Sequence, residues 1–120
     1  MSSDRIVLLL QRMRQAAFEA HGFVVGVDKT FFLQNLILQR AVGMSLLMSS
    51  ECAAQLMDKH PEFVSDHPEF PWVLIRGMRN RMANGYFDIN LERVWDTATM
   101  EAPDFVEKLD AILEWRAEGE

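Results

Sequence analysis

The stretch LILQRAVGMSLLMSSECA, Leu36 to Ala53, is apolar on two sides at once. Leu33, Leu36, Ile37, Ala41, Met44, Leu47 and Met48 recur at spacings that place them on one side of a helix, and Leu38, Val42 and Leu46 add a second strip. A helix with that pattern belongs in the middle of a bundle or against a partner subunit. Its start is predicted at Asp28 or Thr30, after the short apolar link FVVGV. The methionines serve as adaptable filler.

The flanking segments repeat the helical period. Asp4 is a plausible N-cap for a first helix, whose stripe runs Ile6, Leu9, Leu10, Met13, Ala17 and whose end is marked by His21-Gly22. His21 reads as a cation-capable residue at a helix C-terminus, not as a catalytic one. A third helix is expected from Trp72 to Ala83, ending at Asn84-Gly85. Asn90 caps a fourth with Leu91, Val94 and Trp95, and Pro103 opens a last one through Trp115. No segment sustains period-2 alternation. The fold class is therefore all-α, an antiparallel bundle of about five helices forming one domain over residues 1–120.

Composition narrows the function. With 49% apolar and 25% charged residues, the chain has the profile of a globular protein. A net charge of −6 argues against broad, sequence-independent binding to nucleic acid, which depends on neutralising many phosphates. It leaves room for a small basic site, and Arg76, Arg79 and Arg81 fall within six positions. Ile6 to Leu10 is too short for a membrane span, and the sequence starts without the apolar region and cleavage site of a secretory signal. One cysteine, Cys52, forms no internal disulfide, so the expected setting is a reducing cytoplasm, without a membrane.

KHPEFVSDHPEFPW contains His60-Pro61-Glu62-Phe63 and again His67-Pro68-Glu69-Phe70. Prolines 61, 68 and 71 break helical continuity, and no ligand spacing on a regular element is set up, so the stretch reads as a surface connection with aromatic anchors and not as a metal site.

The chemistry concentrates in RGMRNRMANGYFDIN, Arg76 to Asn90. The string GMRNRMANGYFDINLERVWDT closely resembles the signature of HEPN-domain toxins of the HepT type: Arg-Asn, three residues, His, any residue, Tyr. HPEFPW resembles that family's proline-tryptophan lead-in, RAVGMSLLMSSECA its long second helix with Glu51 at an often acidic position, and APDFVEKLDAIL its tail. The resemblance covers nearly the whole chain. It implies a small helical homodimer that cleaves RNA with no metal or other cofactor, the toxin of a toxin–antitoxin pair whose antitoxin is an MNT-type nucleotidyltransferase that adds AMP to the motif tyrosine. On that pattern Arg79 is the catalytic arginine, Asn80 the following amide, Asn84 stands at the catalytic histidine position and Tyr86 is the modification site, with Arg76 in support.

The motif has a physical rationale. Without a metal, RNA cleavage uses the ribose 2′-hydroxyl as nucleophile, so one group accepts its proton and another protonates the leaving oxygen. A histidine does either, and such transfer is worth roughly 10²–10⁴-fold. A guanidinium stabilises the charge that builds on phosphorus-bound oxygens, in paired hydrogen bonds that a lysine does not match. Asparagine has no titratable proton at useful pH, so Asn84 holds a phosphate oxygen or a base edge but relays nothing. Two readings follow: an introduced asparagine that disables a ribonuclease, or a natural one that leaves a non-catalytic binding module for RNA or a nucleotidyltransferase.

Residues 79 and 84 lie about 140° apart around an ideal helix. They converge if the helix ends between them, as Gly85 suggests, or if two protomers share a cleft. Blander readings exist for each residue. Asn84-Gly85 is also an ordinary helix end with glycine in the left-handed conformation, Tyr86 anchors a turn, and the arginines form a solvated face.

Overall fold

The computed structural model describes residues 2–119, with the side chains of Ser2, Tyr86 and residues 117–119 excepted. The described residues form no strand. The chain runs α1 (Ser2–Val24), α2 (Lys29–Gln34), α3 (Leu36–Lys59), α4 (Pro61–Asp66) and α5 (Trp72–Asn84). A 3-10 turn (Tyr86–Asp88), α6 (Leu91–Asp96), a π-helical segment (Thr97–Glu101) and α7 (Ala102–Gly119) complete it. The all-α expectation holds, and the helix boundaries differ from it in four instructive places.

α1 begins before Asp4, which lies in its first turn, and runs past His21-Gly22 to Val24. The terminating glycine is Gly26, the glycine with positive φ, at 75°, where a side chain would be strained. His21 sits in the last turn, as expected, and its Nδ1 donates to the Ala98 carbonyl at 3.0 Å, tying α1 to the π segment.

The long second helix is two helices. Asn35 adopts extended φ/ψ (−113°, 102°) and its side chain accepts from the Leu38 N–H at 2.8 Å, so it caps α3. Its own N–H closes α2 on the Phe32 carbonyl.

The connection between residues 59 and 72 contains a short helix, α4, with Pro61 at its first turn where a missing N–H costs nothing. Its aromatics do anchor it: Phe63, Phe70 and Trp72 are buried, and Trp72 Nε1 donates to the His67 carbonyl at 2.9 Å. His67 pairs with Glu69 at 3.0 Å and stacks on Phe63.

Finally, the fourth and fifth helices are continuous. Asn90 caps α6 as expected, accepting from the Arg93 N–H, but α6 passes through the π segment straight into α7. Pro103 lies just beyond that segment. Proline lacks an N–H and its ring clashes with the carbonyl four residues back; a π turn widens the ladder at that place, so the helix continues.

α1 packs on α3 and α7, and α3 packs on α5. Small buried residues occur on both helices, Ala16, Ala17 and Ala20 on α1 and Ser45, Ser49, Ser50 and Ala53 on α3. The Ser49 hydroxyl donates across the contact to the Met13 carbonyl, and Ser50 back to Leu47. The core has two parts. One joins α1, α3, α4, α5 and α7 around Leu9, Leu10, Met13, Phe70, Ile75 and Leu109. The other, around Phe32, Val42, Leu46 and Met82, joins α1 and α2 to α3, α5 and α6.

Of the two apolar strips on α3, only one is inside. Val42 and Leu46 are fully buried, whereas Leu36, Ile37, Met44 and Met48 on the wider stripe are exposed.

Candidate functional site

α5 lies antiparallel to α3, as three contacts along it show. Arg76 pairs with Asp58, Arg79 pairs with Glu51, and the Met82 side chain lies against Gly43. Acids seven apart on α3 thus meet arginines three apart on α5. Residues 76, 79, 80 and 83 fall on neighbouring positions of one helical face, so the arginines reach α3 together while Arg81 points away.

Arg79 is the centre of this constellation. Its Nε donates to Glu51 Oε1 at 2.6 Å and its Nη1 to Asn80 Oδ1 at 3.1 Å. The hydrogen bond and charge of Glu51 raise the guanidinium's pKa further, so it stays a cation throughout the working range. Among the described residues two of the five N–H donors of the group are engaged, and both uses fix the plane of the fork. The remaining donors are available to an oxyanion. About a third of the side chain is exposed, so a phosphate can reach it.

Asn84 is placed differently. α5 continues through it, so the helix does not end between 79 and 84, and the two side chains stay on different faces of one unbroken helix. That corrects the first of the two ways in which they were expected to converge. Gly85 has φ −135°, outside the left-handed region expected for it; its N–H returns to the Arg81 carbonyl and the chain tightens into the 3-10 turn. Asn84 itself is exposed. Tyr86 begins the 3-10 turn, two residues beyond; its side chain lies outside the described residues.

Beside the arginine face, toward the N-terminal half of α3, a cleft of about 460 Å³ opens between α3, the end of α5 and the 3-10 turn. Leu36, Arg40, Met44, Met82 and Phe87 are among its walls.

The sequence reading noted Glu51 only as an often acidic position of the resembled family, passed over Asp58, and named neither as a site member. A signal was present: two acids seven apart on a helix that the bundle places opposite arginines three apart. Pairing them required knowing that α3 and α5 are neighbours.

The family model for ribonuclease HepT-like proteins matches residues 13–112. The chain belongs to the ribonuclease HepT-like family. The match includes α3, the arginine face of α5 and the turn after it. Curated relatives agree with it. A candidate RNase of Caldanaerobacter subterraneus subsp. tengcongensis is 31% identical over 91 residues, which are 76% of this chain and 79% of the relative. A candidate RNase of Methanocaldococcus jannaschii is 30% identical over 88 residues, 72% of this chain and 70% of the relative. Another from the same archaeon is 21% identical over 112 residues, 93% of this chain and the relative's full length. No solved structure matches the chain.

For a HepT-like ribonuclease, then, the structure brings Arg76, Arg79 and Asn80 together with two carboxylates. It leaves Asn84 on another side of the same helix. No helix among the described residues is long and apolar enough to cross a membrane.

Proposed function

We propose that this HepT-like chain is the toxin of a toxin–antitoxin pair, a homodimeric, metal-independent endoribonuclease acting in the cytoplasm and slowed by Asn84. The observation that carries the reading is Arg79, a guanidinium held by Glu51 and Asn80 whose outer donors take no partner among the described residues, on a side chain about a third exposed. An RNA phosphodiester accepts from those donors, and the charge that grows on its oxygens as the 2′-oxygen attacks is stabilised where it forms.

The dimer rests on two features. Ile37, Met44 and Met48 form an exposed apolar stripe on α3, and Phe87 stands almost fully exposed beside the end of α5. An apolar stripe on that scale favours a partner surface. A two-fold axis near it brings a second copy of position 84 toward Arg79, which a single helix does not do. Proton transfer remains the weak step, because an amide at 84 supplies neither acid nor base.

The antitoxin in this reading is an MNT-type nucleotidyltransferase that transfers AMP to Tyr86. The 3-10 turn places that residue immediately past the end of α5. A phosphodiester there competes with RNA for Arg79.

The test is cleavage of an RNA panel, with chelator present, by the parent chain and by Asn84→His. The histidine form is expected to cut faster by roughly 10²–10⁴-fold, the range of general acid–base catalysis. If neither form cuts, the chain is a non-catalytic HEPN module that partners a nucleotidyltransferase.

A further inference from the structure

We propose that Glu51 is the proton acceptor for the ribose 2′-hydroxyl in this chain, a catalytic role that lets it cleave RNA slowly without a histidine at 84. The proposal rests on the ribonuclease reading and concerns the same site.

Two carboxylates stand on the arginine face, and they are not equivalent. Asp58 is engaged by Arg76 near the C-terminal end of α3. Glu51 lies one step further along, against the arginine that has donors to spare. Its Oε1 accepts from Arg79 Nε, and its side chain is 42% exposed. Oε2 takes no hydrogen bond from the described residues. A carboxylate oxygen with open lone pairs therefore sits next to the guanidinium that would bind the phosphate. In a ribonucleotide the 2′-hydroxyl neighbours the scissile phosphate, so a phosphate on Arg79 brings that hydroxyl to the same side chain.

Charged groups from three helices gather around Glu51. From α5 Arg79 pairs with it, and Asp58 of α3, itself paired with Arg76, acts on that same guanidinium. On α1, Arg5 and Arg12 both act on Cys52, the residue next to Glu51, and Arg5 is itself held by Gln55 at 3.1 Å.

The step balances as a transesterification. Glu51 takes the 2′-hydroxyl proton while the 2′-oxygen forms a bond to phosphorus and the bond from phosphorus to the 5′-oxygen breaks. The leaving 5′-oxygen takes a proton from water, and the resulting hydroxide takes the proton from Glu51. The products are a 2′,3′-cyclic phosphate and a 5′-hydroxyl end. Water is a poor acid, so the reaction is slow until a histidine supplies that proton.

The experiment compares the parent, Glu51→Gln, Glu51→Asp, Asn84→His and the Asn84→His/Glu51→Gln double variant in single-turnover cleavage of RNA oligonucleotides, with chelator, across pH. Glutamine keeps an oxygen for Arg79 Nε and loses the proton acceptor together with the carboxylate charge. Slow parental cleavage to a cyclic phosphate is expected, with an acidic limb in its pH–rate profile. Glu51→Gln should lower that rate by about 10²-fold or more and remove the limb, while Glu51→Asp retains it. In the histidine background the same change should cost about tenfold or less, because another base is present. Circular dichroism melting confirms that each variant is folded.

Equal rates and the same limb in parent and Glu51→Gln overturn the proposal. So does a folded Glu51→Asp without the limb, or an inert parent beside an active Asn84→His. Inactivity of Asn84→His as well overturns the ribonuclease reading itself.

Discussion

Replacing Asn35 by alanine has opposite expected signs in the two descriptions of the N-terminal half, which makes it a sharp test of the fold. Were residues 28–59 one helix, alanine would be the better helix former there, and the change would stabilise the protein by up to about 0.7 kcal/mol. In the observed structure Asn35 is extended and its carboxamide oxygen holds the Leu38 N–H at 2.8 Å, so alanine leaves a helix-terminal donor without its cap. Loss of an asparagine cap costs about 1 kcal/mol. With a urea dependence of about 1–3 kcal/mol per molar for small proteins, the denaturation midpoint should fall by roughly 0.3–1 M at unchanged slope. Serine restores an oxygen at the same place and should recover most of the loss. A midpoint equal to or above the parent's for Asn35→Ala would refute the break between α2 and α3. It would also undo the placement of the cleft beside it, whose wall begins at Leu36.

Three further outcomes are expected. Phe70→Ala, at a site 2% exposed between Trp72 and Phe105, should lower stability by about 3–5 kcal/mol in the same urea titration. Arg79→Lys in the Asn84→His background should reduce single-turnover cleavage by roughly 10²-fold with little change in melting temperature, because lysine offers no planar fork and the pair it breaks is at the surface. Burial raises the Cys52 pKa, with Arg12 and Arg5 opposing it, so less thiolate is present at a given pH than for an ordinary cysteine. Alkylation of the folded protein should therefore lag a cysteine peptide and accelerate only above the usual thiol range. By linkage, this burial favours the fold below the unfolded thiol's pKa and the contribution is lost as pH rises. Mass spectrometry against pH reads the first effect, and an unfolded-like alkylation profile in native buffer would contradict it.

Helix identity was legible where the apolar period is strong, as in α1 and α3, and elsewhere from end signals such as Asn84-Gly85 and Pro103. Boundaries were not, and each miss has a local cause. Asn35 lies inside an apolar run whose period continues across it, so nothing short of its backbone angles marks the break. Pro103 looks like a helix start, and it is a helix interior because the π turn before it absorbs the clash. His21-Gly22 has the composition of an ending, but Gly26 supplies the left-handed residue that an ending needs.

The site shows the same division. Arg79 and Asn80 follow from an eight-residue motif, residues 79–86, and from the helical face they share. Glu51 follows from neither, because its value comes from a helix 28 positions away in sequence. The placement of Asn84 turns on one further fact, that α5 continues through it. At about 140° from Arg79 on an unbroken helix, position 84 does not complete the site from within one chain. Within the chain, Arg79 keeps company with a carboxylate; in the homodimer proposed above, a two-fold axis is what brings position 84 to it. On these two proposals a histidine at 84 acts between subunits and Glu51 acts inside one. The two proton routes are separable by dilution: cleavage that depends on position 84 falls as dimers dissociate, whereas a route through Glu51 and Arg79 of one chain persists in the monomer.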